Sequence, residues 1–231
     1  MLMGSSCDQC IVRDRALCAS LAPGDLDLLS RLGTQRRLVR GEILTHAGDE
    51  PMICANLQSG VMKIQSTTAE GETAIVGLLY PGDFIGRPYA MVETHDVVAL
   101  TEVSLCSFPR ARFEAALAEH RQMEQLLLRR TLMELDRARG WLLRMGRASA
   151  AARVAGFIDD MARRLGALGC AVPAQVVLPL SRGEIAELLG LTIETVSRQF
   201  SRLRSMGAIE LSGTRSLVVR DAALLRAEAE A

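Results

Sequence analysis

Residues 181–209 read SRGEIAELLGLTIETVSRQFSRLRSMGAI and contain the clearest helix signals in the C-terminal part of the chain. Ser181 followed by Glu184 forms a capping box, which predicts the start of a helix. Gly190 ends that helix, because glycine adopts positive φ at little cost, and Thr192 caps a second helix. The apolar positions at helical spacing are Ile185, Leu188, Leu189, Val196, Phe200 and Leu203. The pattern predicts a helix-turn-helix, with an ordinary helical hairpin as the alternative.

The second helix of a helix-turn-helix lies in the major groove of DNA. Its outer face carries Glu194, Ser197 and Arg198. Arg198 can bind the O6 and N7 acceptors of guanine, Glu194 can accept from a cytosine amino group, and Ser197 can reach a base or a phosphate. Alternatively, Glu194 and Arg198 only form a surface ion pair, since they are one turn apart. The predicted phosphate contacts are Arg182, Thr192, Arg202 and Arg204.

A β-hairpin of Ile209–Leu211 and Ser216–Val219 is predicted after these helices, and a hairpin in that place is a wing. A helix that ends near Leu165 and a strand at Gln175–Pro179 are predicted before them. Twelve arginines and seven acidic residues lie between residues 140 and 226, although the whole chain has 27 basic and 27 acidic residues. We therefore predict a winged helix-turn-helix DNA-binding domain at residues 147–231.

The preceding part has the texture of a small antiparallel β-roll, with short strands between glycine turns. The predicted strands are Arg37–Val39, Ile43–His46, Met52–Leu57, Val61–Ser66, Thr73–Leu79 and Val97–Leu105. An amphipathic helix at Pro23–Leu32 precedes them. We therefore predict a sensory roll at residues 19–120 and an α+β fold for the chain.

A helical region is predicted from Pro109 to about Met145, before a hinge at Gly146–Ser149. Its apolar residues follow steps of three and four, nearly as in a heptad pattern. They are Leu128, Leu132, Leu135, Ala138, Leu142 and Met145. The spacing predicts a dimerisation helix at residues 121–146 and therefore a homodimer. The alternative is a helix packed on its own domain.

Composition limits the classes of protein to which the chain can belong. It has 231 residues, 49% of them hydrophobic, which is enough to bury a core. No apolar run is long enough to cross a membrane and the N-terminus does not resemble a signal peptide, so we expect a cytoplasmic protein. Thiols stay reduced there, which makes the six cysteines ligands, sensors or core residues. An enzyme is not expected, because no nucleophile–base pair or phosphate-binding glycine loop is visible.

A β-roll, a long helix and a winged helix-turn-helix, in that order, resemble the family of the catabolite activator protein and the fumarate-nitrate reductase regulator. The resemblance covers essentially the whole chain. Members that bind cyclic nucleotide carry Gly-Glu-Leu and an Arg-Ser or Arg-Thr pair in the roll. This chain has Gly86-Arg87-Pro88 and Val97-Val98-Ala99 instead. We therefore expect no cyclic nucleotide, since a buried phosphate without its counter-charge is costly.

The oxygen-sensing branch of that family resembles this chain at its cysteines and at its recognition motif Glu-x-x-Ser-Arg. Residues 1–18 are predicted as a cysteine-rich arm with Cys7, Cys10 and Cys18, and Cys106 follows in the roll. The resemblance implies that these four bind a [4Fe-4S] cluster, although seven residues separate the second and third cysteines where the best-known members have five. Four thiolates suit such a cluster. Zinc, a thiol–disulfide switch or no role are the alternatives, and Cys54 and Cys170 are expected to be core residues.

The resemblance also implies a mechanism. Without oxygen an intact cluster fixes the arm, the 121–145 helices pair, and the dimer binds a palindrome with TTGAT-like half-sites to activate, and sometimes repress, genes of anaerobic respiration. The loop Ala69–Thr73 is a candidate contact with RNA polymerase. Two other hypotheses remain open: the chain is a constitutive or protein-regulated DNA-binding module, or it is a small-ligand or haem sensor. The candidate haem ligands are His46, His95 and His120.

Overall fold

The computed structural model describes residues 7, 10–21, 23–68, 70–165 and 175–231. The chain divides into two compact units, residues 1–136 and 137–231. Cys170 and Ala69, for which the sequence suggested a core position and a polymerase contact, lie outside the described residues. In the described part of the chain, no helix has both the length and the apolar character needed to cross a lipid bilayer.

The first unit is built around a roll of two antiparallel four-stranded sheets. One sheet has the order β1-β8-β3-β6 and the other β2-β7-β4-β5. The strands are β1 Thr34–Leu38, β2 Ile43–Thr45, β3 Ile53–Ser59, β4 Met62–Thr67, β5 Thr73–Leu79, β6 Phe84–Ile85, β7 Asp96–Ala99 and β8 Val103–Pro109. The helices of this unit are α1 Pro23–Leu32, α2 Arg110–Glu119 and α3 Arg121–Arg147, the last of which continues past residue 136.

Strand β3 has two different faces, because successive side chains of a strand point to opposite sides. Ala55 and Leu57 belong to the core cluster of the roll. Cys54 belongs to a second cluster, in which the helices pack on the outer side of the sheet; Phe108, Phe113 and Met123 are among its other members. The outer face of this sheet is therefore where the helices and the N-terminal arm are seated.

Two of the predicted elements are interrupted in the structure. The strand predicted at Val97–Leu105 is two strands, β7 and β8, because the chain turns between Ala99 and Val103 and Leu100 N donates to Val61 O at 2.9 Å. The helical region predicted from Pro109 is broken at His120, where φ is −120° and ψ is 85°. Strand β6, only two residues long, was not predicted.

The second unit contains the end of α3 and the winged helix-turn-helix. Its elements are α4 Ala150–Arg164, β9 Gln175–Val177, α5 Arg182–Leu189, α6 Ile193–Ser205, β10 Ile209–Leu211, β11 Ser216–Val219 and α7 Ala222–Glu230. The wing is a three-stranded sheet with the order β10-β11-β9. Helix α7 was not predicted, although Asp221 accepts hydrogen bonds from the first-turn amides of Ala223 and Leu224 as a helix cap does.

Candidate functional site

The four cysteines that the sequence singled out line one pocket. Cys7, Cys10 and Cys18 come from the N-terminal arm, and Cys106 comes from the middle of β8. The pocket is partly open to solvent, and the space within it, open solvent included, is about 380 Å³. The other lining residues are Val12, Arg13, Ala16, Gln35, Asn56 and Gln58. We refer to this site as the cysteine pocket.

The arm is seated on the roll by its own apolar residues. Val12, Ala16 and Leu17 are almost completely buried, and a short 3-10 helix at Leu17–Ser20 follows them. Backbone bonds such as Ala16 N to Val12 O, at 2.8 Å, turn the chain between the second and third cysteines. The seven residues of this gap thus form a compact turn that brings Cys10 and Cys18 to the same pocket.

The floor of the cysteine pocket is the outer face of the β1-β8-β3 sheet. Cys106 on β8 is paired directly with Asn56 on β3 and with Gln35 on β1. Asn56 Nδ2 donates to Cys18 Sγ at 3.6 Å, and Gln58 Nε2 donates to Cys10 Sγ at 3.7 Å. Sequence analysis missed both amides, although two polar residues at alternate positions of an otherwise apolar strand were a visible signal.

The thiols of the pocket influence one another electrostatically. Burial, and to a smaller extent electrostatic repulsion from Cys7 and Cys10, raises the pKa of Cys18 to about 11. Burial raises the pKa of Cys106 to about 12, with smaller electrostatic contributions from Cys18, Cys7 and Cys10. Without metal these two thiols are therefore protonated at neutral pH, and metal binding has to release their protons.

The donor set of the pocket fits a four-iron cluster, because four cysteine thiolates are the usual ligands of a [4Fe-4S] group. Within the described ranges, no three His, Cys, Asp or Glu side chains gather closely enough to hold a single metal ion. Cys54 is separate from this set: it is fully buried in the helix-facing cluster. Burial, and then the charge of Glu114, raises its pKa to about 12.

Helix α3 contacts the arm through Arg130. Its Nη2 atom donates to the carbonyl oxygens of Arg15 and Ala16, the latter at 3.0 Å. These carbonyls lie between Cys10 and Cys18, so the guanidinium holds the cysteine-bearing turn against α3. This contact could not be predicted from the sequence, since Arg130 is one of many arginines in the helix.

The opposite face of α3 carries the predicted dimerisation residues. Leu128, Leu132, Leu135 and Leu142 are exposed, Leu128 by 58% and Leu142 by 70%, and Ala138 is exposed between them. We refer to these five residues as the α3 stripe. Met145, the sixth predicted interface residue, is half-buried instead of exposed. Its Cε packs close to Gly190, only 3.0 Å from the position that a Cβ would occupy there. Met145 thus packs partly within the chain, and its place in a dimer interface stays a prediction.

The helix-turn-helix has the local geometry that its sequence predicts. Ser181 and Glu184 make both hydrogen bonds of the capping box. Gly190 has φ 59° and ψ 44°, the left-handed conformation of a helix C-cap. The Thr192 hydroxyl accepts from Thr195 N at 3.2 Å and caps α6. Side chains of both helices, including Phe200, are buried against the rest of the unit.

Glu194, Ser197 and Arg198 are all exposed near the N-terminus of α6. Arg198 Nη2 donates to Thr195 Oγ1 at 3.3 Å. The pKa of Glu194 is lowered, first by a hydrogen bond from the backbone amide of Glu194 and then by one from the Thr192 hydroxyl. The positive charge of Arg198 lowers it further. Glu194 is therefore a carboxylate at neutral pH, which is the form that accepts hydrogen bonds.

The predicted phosphate contacts are not equivalent in the structure. Thr192 and Arg204 are exposed. Arg202 is exposed as well, but it forms an ion pair with Glu228 of α7 at 2.8 Å. The guanidinium carbon of Arg182 lies 3.2 Å from the centre of the Phe200 ring, and burial lowers its pKa to about 10. The Arg182 side chain thus packs on Phe200, and its contact with a phosphate stays a prediction.

The loop after β6 holds Arg87 through its own backbone and side chains. Arg87 Nη1 donates to Thr94 Oγ1 at 2.7 Å and to Val92 O at 3.1 Å. This arginine stands where the nucleotide-binding branch is expected to have a glutamate. The expectation that the roll binds no cyclic nucleotide stays a prediction.

Comparison with known proteins places both units in one family. Residues 35–120 match the model of the cyclic nucleotide-binding domain, and residues 152–228 match that of the Crp-like helix-turn-helix domain. The chain is 38% identical to the transcriptional activator protein FnrL of Cereibacter sphaeroides, over 96% of this chain and 91% of the relative.

A second curated relative is the anaerobic regulatory protein of Pasteurella multocida. It is 27% identical, over 90% of this chain and 77% of the relative. Among solved structures, FixK2 of Bradyrhizobium japonicum superposes with a TM-score of 0.76 at 29% identity, over 84% of this chain and 96% of that one. The chain therefore belongs to the Crp/Fnr family of helix-turn-helix transcription regulators.

Proposed function

We propose that this chain is an oxygen-responsive transcription activator that holds a [4Fe-4S] cluster in the cysteine pocket and binds palindromic DNA as a homodimer. The convergence of Cys7, Cys10, Cys18 and Cys106 on one pocket carries the proposal. When bound, such a cluster supplies iron–thiolate bonds that oxygen can destroy. The names of two relatives, a transcriptional activator and an anaerobic regulatory protein, support a role in oxygen-dependent transcription.

The chain itself contains the parts that would transmit the signal. Ligation would fix Cys10 and Cys18 relative to Cys106, and thereby the turn whose carbonyls accept from Arg130. Arg130 lies on the face of α3 opposite Leu128 and Leu132 of the α3 stripe, because residues two positions apart are about 200° apart on a helix. A fixed arm would hold α3 in one position and leave its exposed leucines available to a second copy.

The α3 stripe favours a second copy of this chain as its partner. Exposed leucines at heptad-like spacing bury their surface when two helices pair side by side. Pairing presents two α6 helices, and a palindrome supplies two half-sites about one DNA turn apart. Glu194, Ser197 and Arg198 would read TTGAT-like half-sites, with Thr192, Arg202 and Arg204 on phosphates. Residues 70–73 would be part of a contact with RNA polymerase.

The test is DNA binding by protein purified under nitrogen, measured by fluorescence anisotropy before and after exposure to air. The duplex carries two TTGAT half-sites, and a scrambled duplex serves as the reference. We expect air to weaken specific binding by roughly 5- to 150-fold, the usual range of coupling between two sites. Cys54→Ser should respond like the wild type, whereas Cys106→Ser should bind weakly in both gases.

The same assay separates the alternatives. Binding that is equally tight in nitrogen and air would identify a constitutive or zinc-stabilised regulator and contradict the proposal. Binding that air weakens and dithiothreitol fully restores, without added iron, would identify a thiol–disulfide switch.

A further inference from the structure

Two amide side chains on the floor of the cysteine pocket have no role in the family fold described so far. Asn56 is 2% exposed and Gln58 is 8% exposed. They occupy alternate positions of β3, so both point to the outer face of the sheet, away from Ala55 and Leu57. A buried amide is costly unless it forms hydrogen bonds, so the partners of these two residues need an explanation.

The hydrogen bonds of both amides are directed at sulfur. Asn56 Nδ2 lies 3.6 Å from Cys18 Sγ, and Gln58 Nε2 lies 3.7 Å from Cys10 Sγ. The orientation of the Gln58 amide is fixed by a second hydrogen bond, which Ser104 Oγ donates to Gln58 Oε1 at 3.2 Å. The amide NH₂ is thereby turned toward the cysteine.

Hydrogen bonds to neutral thiols compensate little of the cost of burying two amides, because thiol sulfur is a weak acceptor. Hydrogen bonds become shorter and roughly twice as strong when the acceptor is ionised. A metal-bound cysteine is deprotonated, so these donors are suited to the metal-loaded state. Among the described residues, Asn56 Oδ1 has no hydrogen-bond partner, and the Asn56 side chain forms its hydrogen bond to Cys18 alone.

We propose that Asn56 and Gln58 are positioning residues that donate N–H···S hydrogen bonds to metal-bound Cys18 and Cys10 and slow the loss of iron from the pocket. This inference rests on the proposed function. Groups that hydrogen-bond to metal ligands orient them and tune the metal they hold, and bonds to the sulfurs are one of the determinants of iron–sulfur properties. Both donors act on the arm, so they retain the part of the chain that ligation fixes.

The test compares Asn56→Leu and Gln58→Leu with the wild type, all purified under nitrogen. Gln35→Leu is the matched control, since Gln35 lines the same pocket and the described part of the chain gives it no hydrogen bond to a cysteine. Two rates are measured: the decay of visible iron–sulfur absorbance in air, and the transfer of iron to a chelator under nitrogen. We expect each leucine variant to lose iron roughly tenfold faster, the lower end of the effects that such neighbours have.

A variant that fails to fold would not decide the matter, so Ser104→Ala provides a milder second test. It removes the hydroxyl that orients Gln58 and leaves both amides in place, and it should accelerate iron loss in the same direction by a smaller factor. Rates equal to the wild type in Asn56→Leu, Gln58→Leu and Ser104→Ala, with a full initial iron content, would overturn this inference alone. A wild type without iron and sulfide would overturn the proposed function and this inference with it.

Discussion

At the scale of single residues, the chemistry of the pocket rests on thiols that would have to lose their protons. Cys18 and Cys106 have pKa values of about 11 and 12, mainly because they are buried. A metal that binds them must displace their protons. A four-iron cluster is usually held by four cysteine thiolates, so each of the four cysteines is expected to be needed.

Replacement of Cys106 by serine should abolish iron and sulfide binding, since it removes the one ligand that the roll contributes. Cys54→Ser is the matched control, because Cys54 lies on the same sheet face but outside the pocket. Metal analysis after anaerobic purification checks both variants. A full complement of iron in Cys106→Ser would show that the fourth ligand lies elsewhere.

On α6, base contacts and phosphate contacts should be separable. Arg198→Ala should cost about 1–3 kcal/mol on the TTGAT palindrome and much less on scrambled DNA, because it removes a bidentate guanine contact. Arg204→Ala should weaken both duplexes alike and reduce the salt slope by roughly one unit. Arg202 is less suitable for this comparison, since its replacement also breaks the ion pair with Glu228. Equal losses on both duplexes for Arg198→Ala would remove the proposed base contact.

The residues that sequence analysis missed share a physical reason. Ser181, Gly190 and Thr192 could be assigned from the sequence because caps and turns depend on neighbours within four residues. Asn56 and Arg130 act across 38 and 114 residues of chain. Only the folded sheet and the seated arm reveal their partners. The family resemblance predicted the four cysteines as a set but not the amides beneath them.

At the scale of elements, α3 has two faces with separate tasks. Met123 is buried in the cluster next to the roll, Leu126 and Leu127 pack against that cluster, and Arg130 contacts the arm. The α3 stripe is on the other side and is exposed. The sequence predicted the stripe from its spacing, but it could not show the break at His120, because helical patterns on both sides of it look continuous.

Leu135→Glu should convert the protein into a monomer that still holds its metal, because two carboxylates would face each other in the paired helices. Met133→Glu introduces the same charge at an exposed position outside the stripe and should remain dimeric. Analytical ultracentrifugation under nitrogen distinguishes the two. If Leu135→Glu sediments as a dimer, the interface is on another surface.

Arg130→Met should uncouple the arm from α3 without removing a ligand. Iron content should stay at the wild-type level, while specific DNA binding under nitrogen should weaken by about 0.5–2 kcal/mol, as is usual for residues along a coupling route. Arg129→Met removes an exposed neighbouring arginine and is the control. Anisotropy titrations of the two variants decide the matter, and unchanged DNA affinity in Arg130→Met would mean that the arm communicates by another route.

At the scale of the whole molecule, the chain combines a thiol-lined pocket in its first unit with an arginine-rich helix-turn-helix in its second. The order of roll, long helix and wing could be predicted from the sequence, since each part has its own periodicity and turn residues. The division of the predicted strand Val97–Leu105 into β7 and β8 could not be predicted, because strands depend on their packing partners more than on their own residues. Helix α7 was missed although Asp221 is a local cap.

The iron and acid-labile sulfide content of anaerobically purified wild-type protein shows whether the cysteine pocket holds a [4Fe-4S] cluster. We predict about four iron and about four sulfide per chain, since a four-iron cluster bound by four cysteines has that composition. The protein should be brown, and its visible absorbance should disappear in air. A colourless protein that contains zinc, or no metal and no sulfide, would contradict the account.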